Sequence, residues 1–120
     1  MSDQSLYERL GGADGIHAIT EDIWANHTSN PAVKNRYAKS DPENVKQMVR
    51  DFFGAGTGGP ETYTGQDMLT AHTGMNINDQ EFNGVIDDVM GAVKNHVDDT
   101  GVHTEVLAIL WSMKGDIVGV

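Results

Sequence analysis

The sequence predicts an all-α fold, and three observations support that prediction. Apolar residues recur three and four positions apart in several segments, which is the spacing of one helix face. Two of these segments begin with residues that cap helices. No segment alternates apolar and polar residues over the length of a β-strand. The chain has 120 residues, enough for one core, and we expect a single domain over residues 1–120.

The first third of the chain predicts one long helix between two short turns. Residues 5–10 form a single helical turn, which a pair of glycines stops. A helix over residues 13–28 follows, and Pro31 ends it because proline disfavours helical geometry in the residue before it. Residues 32–37 form another short turn. The apolar stripe of the long helix consists of Ile16, Ile19, Ile23 and Trp24.

A second long helix is predicted over residues 42–55. Ser40 or Asp41 supplies its cap, and Pro42 suits the first helical position. A glycine-rich connection then leads to a short helical piece over residues 66–72. The apolar stripe of the second helix consists of Val45, Met48, Val49, Phe52 and Phe53.

The last third of the chain predicts two more helices. A capping sequence from Asn78 to Glu81 begins the first of them. Residues 98–101 form a turn, and a final helix carries the apolar residues from Val106 to Met113 and continues towards Val118. The stripe of the first of these helices consists of Phe82, Val85, Ile86, Val89 and Val93.

Composition excludes several classes of function. Acidic residues outnumber basic ones by 18 to 8, so the formal charge is −10, which argues against nucleic acid and anionic membranes as partners. The absence of cysteine excludes disulfides, thiolate nucleophiles and cysteine-ligated metals. No apolar run has the length of a transmembrane helix, and the first residues lack the layout of a signal peptide. We therefore expect a cytoplasmic protein.

His72 is the candidate metal ligand. The helical piece that it ends is too short to be stable alone, so a ligand held by its imidazole would explain its position. A flat apolar cofactor with one metal would lie between His72 and the two long apolar stripes. The alternative is that the stripes pack on one another and His72 is an ordinary polar residue.

Two segments resemble a known family. The run Leu6-Tyr7-Glu8-Arg9-Leu10-Gly11-Gly12 and the later pattern Gly58-Gly59-Pro60-x-x-Tyr63-x-Gly65-x-x-Met68-x-x-x-His72 resemble the truncated haemoglobins of the first group, the 2-on-2 globins. The resemblance extends from Leu6 to about Val118. It implies a shortened globin fold, in which two antiparallel helix pairs are stacked around haem.

The resemblance implies that His72 is the proximal ligand of the haem iron. It places Tyr37 where globins usually carry a phenylalanine against the haem. The position at which some relatives attach haem covalently lies near Gly115, so we expect non-covalent haem b. The other residues expected to form the wall of the haem pocket are Phe52, Phe53, Tyr63, Met68, Met75, Ile77, Phe82 and Val85.

The distal side departs from the family pattern. Relatives commonly place a tyrosine and a glutamine near bound oxygen, and this chain has Trp24 and an apolar set at the matching positions. A hydrogen-bond donor stabilises bound oxygen, so oxygen binding should be weaker here than in those relatives. Met48 is either a sixth iron ligand or a packing residue. The expected distal residues are Trp24, Val45, Met48 and Val49.

Three functions are consistent with these residues. The first is a haem protein that binds oxygen, nitric oxide or carbon monoxide, in oxygen transport or in the oxidation of nitric oxide or the reduction of nitrite or peroxide. The second is a six-coordinate electron-transfer or sensor protein, and the third is a haem-free binding module. A reductase is a further expected partner, and the chain is expected to be a monomer or a weak dimer.

The other histidines carry weaker expectations. His17 and His27 are expected on the surface of the first long helix. His96 and His103 flank two aspartates, a spacing that would collect a divalent ion if it were not simply a solvated acidic turn. Lys46 is expected to face away from the apolar stripe of its helix.

Overall fold

The computed structural model describes residues 4–65 and 68–119, and this part of the chain is helical. The helices are α1 (Leu6–Arg9), α2 (Gly12–Ser29), a short 3-10 helix (Lys34–Tyr37), α3 (Pro42–Gly56), α4 (Met68–His72), α5 (Asp79–His96), α6 (Thr100–Ser112) and α7 (Lys114–Ile117). Within these ranges the only β-type pairing is an isolated bridge between Ile77 and Val118. The prediction of an all-α fold is therefore confirmed.

The capping residues determine where the helices begin. Asp41 accepts a hydrogen bond from the Glu43 amide at the start of α3, and Asn78 forms a capping box with Glu81 at the start of α5. Asp99 caps α6 by accepting hydrogen bonds from the amides of Gly101 and Val102. Helix α6 thus begins inside residues 98–101, which were predicted as a turn, because the Asp99 cap satisfies its first amides.

The helix boundaries otherwise follow the sequence patterns closely, with one further difference. The final helix does not run continuously to Val118, because α6 ends at Ser112 and α7 begins at Lys114. The short helical piece predicted over residues 66–72 is present as α4, although Gln66 and Asp67 lie outside the described residues. No helix in the described ranges has both the length and the apolar character needed to span a membrane.

The core lies where α2 crosses α5 and where α6 packs on α5. Helix α2 makes its most extensive contacts with α5 and then with α3. Val93 and Val102 are completely buried between α5 and α6. The remaining core residues are Leu10, Ile16, Ile19, Ile23, Phe82, Ile86, Val89, Met90, Ala92, Val106 and Leu110.

The glycine-rich connection after α3 packs against α1. The Tyr7 amide donates to the carbonyl of Thr57 at 2.9 Å, and the Tyr7 hydroxyl donates to Oε2 of Glu61 at 3.0 Å. A Cβ atom at Gly59 would lie 2.3 Å from the Tyr7 ring, so only glycine allows this approach. These contacts fix the start of the segment that leads to α4 and His72.

Candidate functional site

A cavity opens between the 3-10 helix, α4, α5 and the α6–α7 corner. It contains about 740 Å³ of space between protein atoms, counted together with its mouth open to solvent. Most of its wall is aliphatic or aromatic. We call it the main cavity, and its lining residues are Val33, Arg36, Tyr37, His72, Met75, Ile77, Glu81, Phe82, Val85, Ile86, Leu110, Met113 and Ile117.

The imidazole of His72 has one nitrogen committed within α4. Its Nδ1 lies 2.7 Å from the carbonyl oxygen of Met68, one helical turn earlier. A carbonyl oxygen only accepts hydrogen bonds, so Nδ1 carries the proton and donates it. In the neutral imidazole the lone pair then lies on Nε2, which is the protonation state that a metal ligand requires. In its neutral form, half-buried His72 thus keeps an Nε2 lone pair that this hydrogen bond does not use, and the residue lines the main cavity.

An ion pair provides the charged part of the main cavity. Nε and Nη2 of Arg36 donate to the two carboxylate oxygens of Glu81 at 2.5 and 3.0 Å. The hydrogen bond from Arg36 lowers the pKa of Glu81 below its ordinary value. The same pair joins the 3-10 helix to the first turn of α5. Because Nε and Nη2 are bound to Glu81, Nη1 is the part of the guanidinium left at this wall for a further carboxylate.

A second cavity lies between α3 and α6. It shares Leu110 and Met113 with the main cavity, so the two adjoin. Its open and enclosed space amounts to about 360 Å³. We call it the α3–α6 cavity, and its other lining residues are Phe52, Phe53, Gly56, Thr57, Val106 and Ile109.

A third and smaller cavity lies between α2 and α3. It shares Tyr37 with the main cavity and includes about 220 Å³ of space. The ring of Trp24 meets the ring of Tyr37 edge-on at 5.7 Å between centroids. We call it the α2–α3 cavity, and its lining residues are Thr20, Ile23, Trp24, His27, Tyr37, Val45, Lys46 and Val49.

The structure distributes the predicted site residues over these three cavities. The main cavity brings together Tyr37, His72, Met75, Ile77, Phe82 and Val85. Trp24, Val45 and Val49 line the α2–α3 cavity, and Phe52 and Phe53 line the α3–α6 cavity.

Three predicted residues lie outside these linings. Met48 is 42% exposed and lines none of the three cavities. The ring of Tyr63 packs edge-on against Phe52 at 5.2 Å, and Met68 contributes the carbonyl that accepts from His72.

The main cavity also contains residues that were not among the predicted cofactor-contacting residues. Ile86 follows Phe82 by one helical turn and belongs to the same stripe, so periodicity alone identifies it. No periodic pattern points to Val33 or Arg36, since they lie in an irregular segment. The other additions, from the capping segment and the last two helices, are Glu81, Leu110, Met113 and Ile117.

Two expectations about polar residues are wrong. His27 is buried, with 5% exposure, because Nδ1 lies 2.7 Å from Oδ2 of Asp88 and the pair satisfies both side chains. Lys46 does not face away from the apolar stripe. Its side chain is 13% exposed, lines the α2–α3 cavity and donates to Glu21 at 2.9 Å. A long lysine stem can cover apolar surface while its ammonium group remains paired.

Two of the remaining histidines, His96 and His103, have protein partners. His96 lies 2.8 Å from Asp22, and Nε2 of His103 donates to the carbonyl of Val97 at 2.6 Å. Across residues 4–65 and 68–119, no cluster of three or more histidine, aspartate or glutamate side chains is arranged to hold a metal.

Comparisons with known proteins identify a consistent set of relatives. A family model described as "Bacterial-like globin" matches residues 5–118. A group 1 truncated hemoglobin of Tetrahymena pyriformis is 26% identical over 97% of this chain and 96% of its own. Another, from Mycolicibacterium paratuberculosis, is 26% identical over 87% of this chain and 74% of its own.

Solved structures agree with these sequence relatives. The Fe(III) form of the Tetrahymena pyriformis protein superposes with a TM-score of 0.92 at 26% identity, covering 98% of this chain and 100% of that one. The 2/2 hemoglobin of a Synechococcus species, which carries covalently attached heme, gives a TM-score of 0.90 at 22% identity with the same coverage. At this lower sequence identity, the match to the Synechococcus protein shows similarity of fold alone.

Proposed function

We propose that this chain, which belongs to the bacterial-like globin family, holds one haem b non-covalently through His72 and binds diatomic gases. The resemblance to the group I truncated haemoglobins is confirmed by relatives that span nearly the whole chain. The observation that carries the proposal is the hydrogen bond from His72 to the Met68 carbonyl, which leaves Nε2 available at the wall of the main cavity.

The main cavity fits haem in three respects. It offers one neutral imidazole nitrogen, an apolar wall, and the guanidinium of Arg36 for a carboxylate group of the cofactor. Phe82 and Val85 supply apolar surface from α5, and Ile77 supplies it from the segment after α4. Burial of such surface stabilises a bound cofactor by about 25 cal/mol per Å² of apolar area. A bound haem supplies an iron atom that coordinates diatomic gases and can exchange electrons.

The residues of the chain perform three tasks in this proposal. His72 binds the metal, and its bond to Met68 fixes the orientation of the imidazole ring. The apolar wall of the main cavity excludes water. The indole N–H of Trp24 is one donor available to a gas, since no hydrogen bond in the described part of the chain involves it.

The position of Met48 argues against the six-coordinate alternative. Its side chain is 42% exposed and lines none of the three cavities, whereas a second protein ligand would have to reach the metal that His72 would hold. Gas binding is therefore preferred over an electron-transfer role that depends on methionine ligation. Oxidation of nitric oxide and reduction of nitrite or peroxide remain reactions that the same site would support.

Titration of the purified protein with hemin tests the proposal. We expect saturation at one haem per chain and, after reduction, the spectrum of five-coordinate ferrous haem that changes on adding carbon monoxide. Acid–acetone extraction should remove the haem completely, as expected for non-covalent attachment. Failure to saturate would refute the proposed function, and a six-coordinate ferrous spectrum would restore the alternative.

A further inference from the structure

A buried histidine–aspartate pair lies at the α2–α3 cavity, and the proposed binding of haem does not use it. Nδ1 of His27 in α2 lies 2.7 Å from Oδ2 of Asp88 in α5, and the two side chains are 7% and 11% exposed. Ionisable side chains are rarely buried to this degree unless they are paired. The pair connects the two helices that form the centre of the core.

Two asparagines hold the Asp88 side of the pair in place. Nδ2 of Asn30 lies 3.2 Å from both carboxylate oxygens of Asp88, and Nδ2 of Asn26 donates to the Asp88 carbonyl at 3.0 Å. Asn30 also caps the next turn, because its Oδ1 accepts from the Ala32 amide at 3.0 Å. The carboxylate therefore has a fixed position and cannot move without breaking contacts on two elements.

The other side of the pair faces Tyr37. The imidazole of His27 stacks on the Tyr37 ring, with 5.3 Å between centroids and 9° between planes. Trp24 meets the same ring edge-on, so Tyr37 lies between two aromatic neighbours from α2. The Tyr37 side chain lines both the main cavity and the α2–α3 cavity. Burial first, and the nearby Asp88 carboxylate second, raise the pKa of Tyr37 above its ordinary value.

We propose that His27 and Asp88 are positioning residues for the Tyr37 ring, and that the pair thereby sets the rate at which a gas ligand leaves the site. Asp88 fixes the imidazole, the imidazole fixes the ring by stacking, and the ring forms the shared wall of the two cavities. The part of this inference that concerns the rate of gas release rests on the proposed function. The positioning of the Tyr37 ring by Asp88 and His27 does not depend on haem.

A second histidine–aspartate pair provides a matched comparison. His96 and Asp22 also join α5 to α2, at 2.8 Å, and Asn95 donates to the same carboxylate oxygen. That pair is 33% and 36% exposed, and its residues line none of the three cavities. Both pairs tie the same two helices together, and only the buried one stacks on Tyr37.

The test compares Asp88→Asn with Asp22→Asn, each alone and combined with Tyr37→Leu. The first readout is the position of the Tyr37 ring resonances in nuclear magnetic resonance spectra of haem-free protein. The second is the rate of carbon monoxide dissociation from the haem-loaded protein. Tyr37→Phe serves as the conservative replacement, because it keeps the stacked ring and removes only the hydroxyl.

We expect Asp88→Asn to shift the Tyr37 resonances and to change carbon monoxide dissociation by roughly three- to tenfold, as coupled neighbours do. Asp22→Asn should do neither. The kinetic effect of Asp88→Asn should disappear in the Tyr37→Leu background and persist in the Tyr37→Phe background.

Equal effects of the two aspartate variants, or an Asp88→Asn effect that is unchanged without the Tyr37 ring, would overturn the inference. If Asp88→Asn unfolds the chain, His27→Gln provides the second variant, because its amide retains a hydrogen bond to Asp88 and loses the stack. His27→Gln should then change the rate of carbon monoxide dissociation by the same roughly three- to tenfold that was expected for Asp88→Asn. An unchanged rate would refute the proposal. A wild-type protein that does not bind haem refutes the proposed function instead, and the resonances still decide whether Asp88 positions Tyr37.

Discussion

Nδ1 of His72 lies 2.7 Å from the carbonyl oxygen of Met68, which is four residues earlier in a five-residue helix. The Met68 carbonyl, at the start of α4, therefore orients the imidazole of His72 at the end of the same helix. An isolated helix of this length is unstable in water, so its geometry depends on packing against the rest of the chain. Contacts between α4 and α7 supply part of that packing.

Replacing His72 by alanine should abolish normal haem ligation. The only imidazole at the wall of the main cavity within the described residues would be lost, so the Soret band should weaken and shift. Added imidazole should restore the band. His17→Ala is the control because His17 is exposed on α2, and it should leave the spectrum unchanged. Unaltered haem affinity in the His72→Ala protein would refute the assignment.

Oxygen should leave this protein faster than it leaves relatives that have tyrosine and glutamine at the distal positions. A hydrogen bond to a charged acceptor contributes on the order of 1.5–3 kcal/mol, so having the single indole N–H of Trp24 in place of those two donors should raise the rate by about one to two orders of magnitude. Stopped-flow spectroscopy of the oxygen-bound protein measures this dissociation rate. The double replacement of Trp24 by Tyr and Val49 by Gln should slow release, and Trp24→Phe should accelerate it if the indole N–H donates.

Slow release in both the wild type and the Trp24→Phe protein would contradict this expectation. It would indicate that another polar group of the α2–α3 cavity donates to the gas. Lys46 is the first to examine, since its ammonium group is paired with Glu21 at the edge of that cavity. Lys46→Met would then accelerate release, because methionine keeps the apolar stem without the donor.

Substitution of Gly59 by alanine should destabilise the fold by about 1–3 kcal/mol, because the new Cβ would overlap the Tyr7 ring. Gly56→Ala is the matched control three residues earlier. A Cβ there meets no atom within 4 Å, and alanine is the better helix former, so stability should rise by up to about 1 kcal/mol. Urea unfolding of both variants measures the difference. Equal stability of the two variants would show that the Tyr7 ring can move away from the added methyl group at no cost in stability.

Core packing predicts a large loss for Ile19→Ala. Ile19 is 1% exposed in the cluster between α2 and α5, and truncation of such a residue costs about 2–5 kcal/mol. Leu69→Ala should change stability by less than about 0.5 kcal/mol, because Leu69 is 48% exposed. Thermal and urea unfolding of the two variants should rank them in this order. The reverse order would place the core elsewhere.

Acid should weaken the fold partly through Glu81. The hydrogen bond from Arg36 lowers the pKa of Glu81 in the folded chain, so the carboxylate stabilises the fold above its unfolded pKa. That stabilisation is lost as the pH falls through the lower, folded value. Arg36→Gln should therefore lower stability above the unfolded pKa of Glu81, leave it little changed at low pH, and so flatten the acid side of the stability profile. An identical slope in the variant would show that the ion pair contributes nothing to acid stability.

Much of the fold was predictable because it depends on local signals. The stripe from Val45 to Phe53 and the caps at Asp41 and Asn78 specify helices whose boundaries the structure reproduces closely. The break at Met113 was not predictable, since the residues on both sides of it are compatible with one continuous helix.

The site was predictable only where it follows a periodic pattern or the family resemblance. Arg36 was missed because it lies in a 3-10 helix, where apolar residues have no periodic spacing. Its partner Glu81 was predicted only as part of the capping sequence of α5. The burial of His27 was missed because the residue that buries it, Asp88, is 61 positions away in the sequence. Long-range polar pairing has no local signal, and only the packing of α2 on α5 reveals it.

The two tryptophans of the chain give each side of the site its own fluorescent reporter. Trp24 lines the α2–α3 cavity, and Trp111 packs edge-on at 5.5 Å against Phe82 of the main cavity. A porphyrin absorbs in the range where indole emits, so a cofactor in the main cavity would quench both by energy transfer. Emission from proteins that retain one tryptophan would then follow cofactor loss from either side, without any external dye.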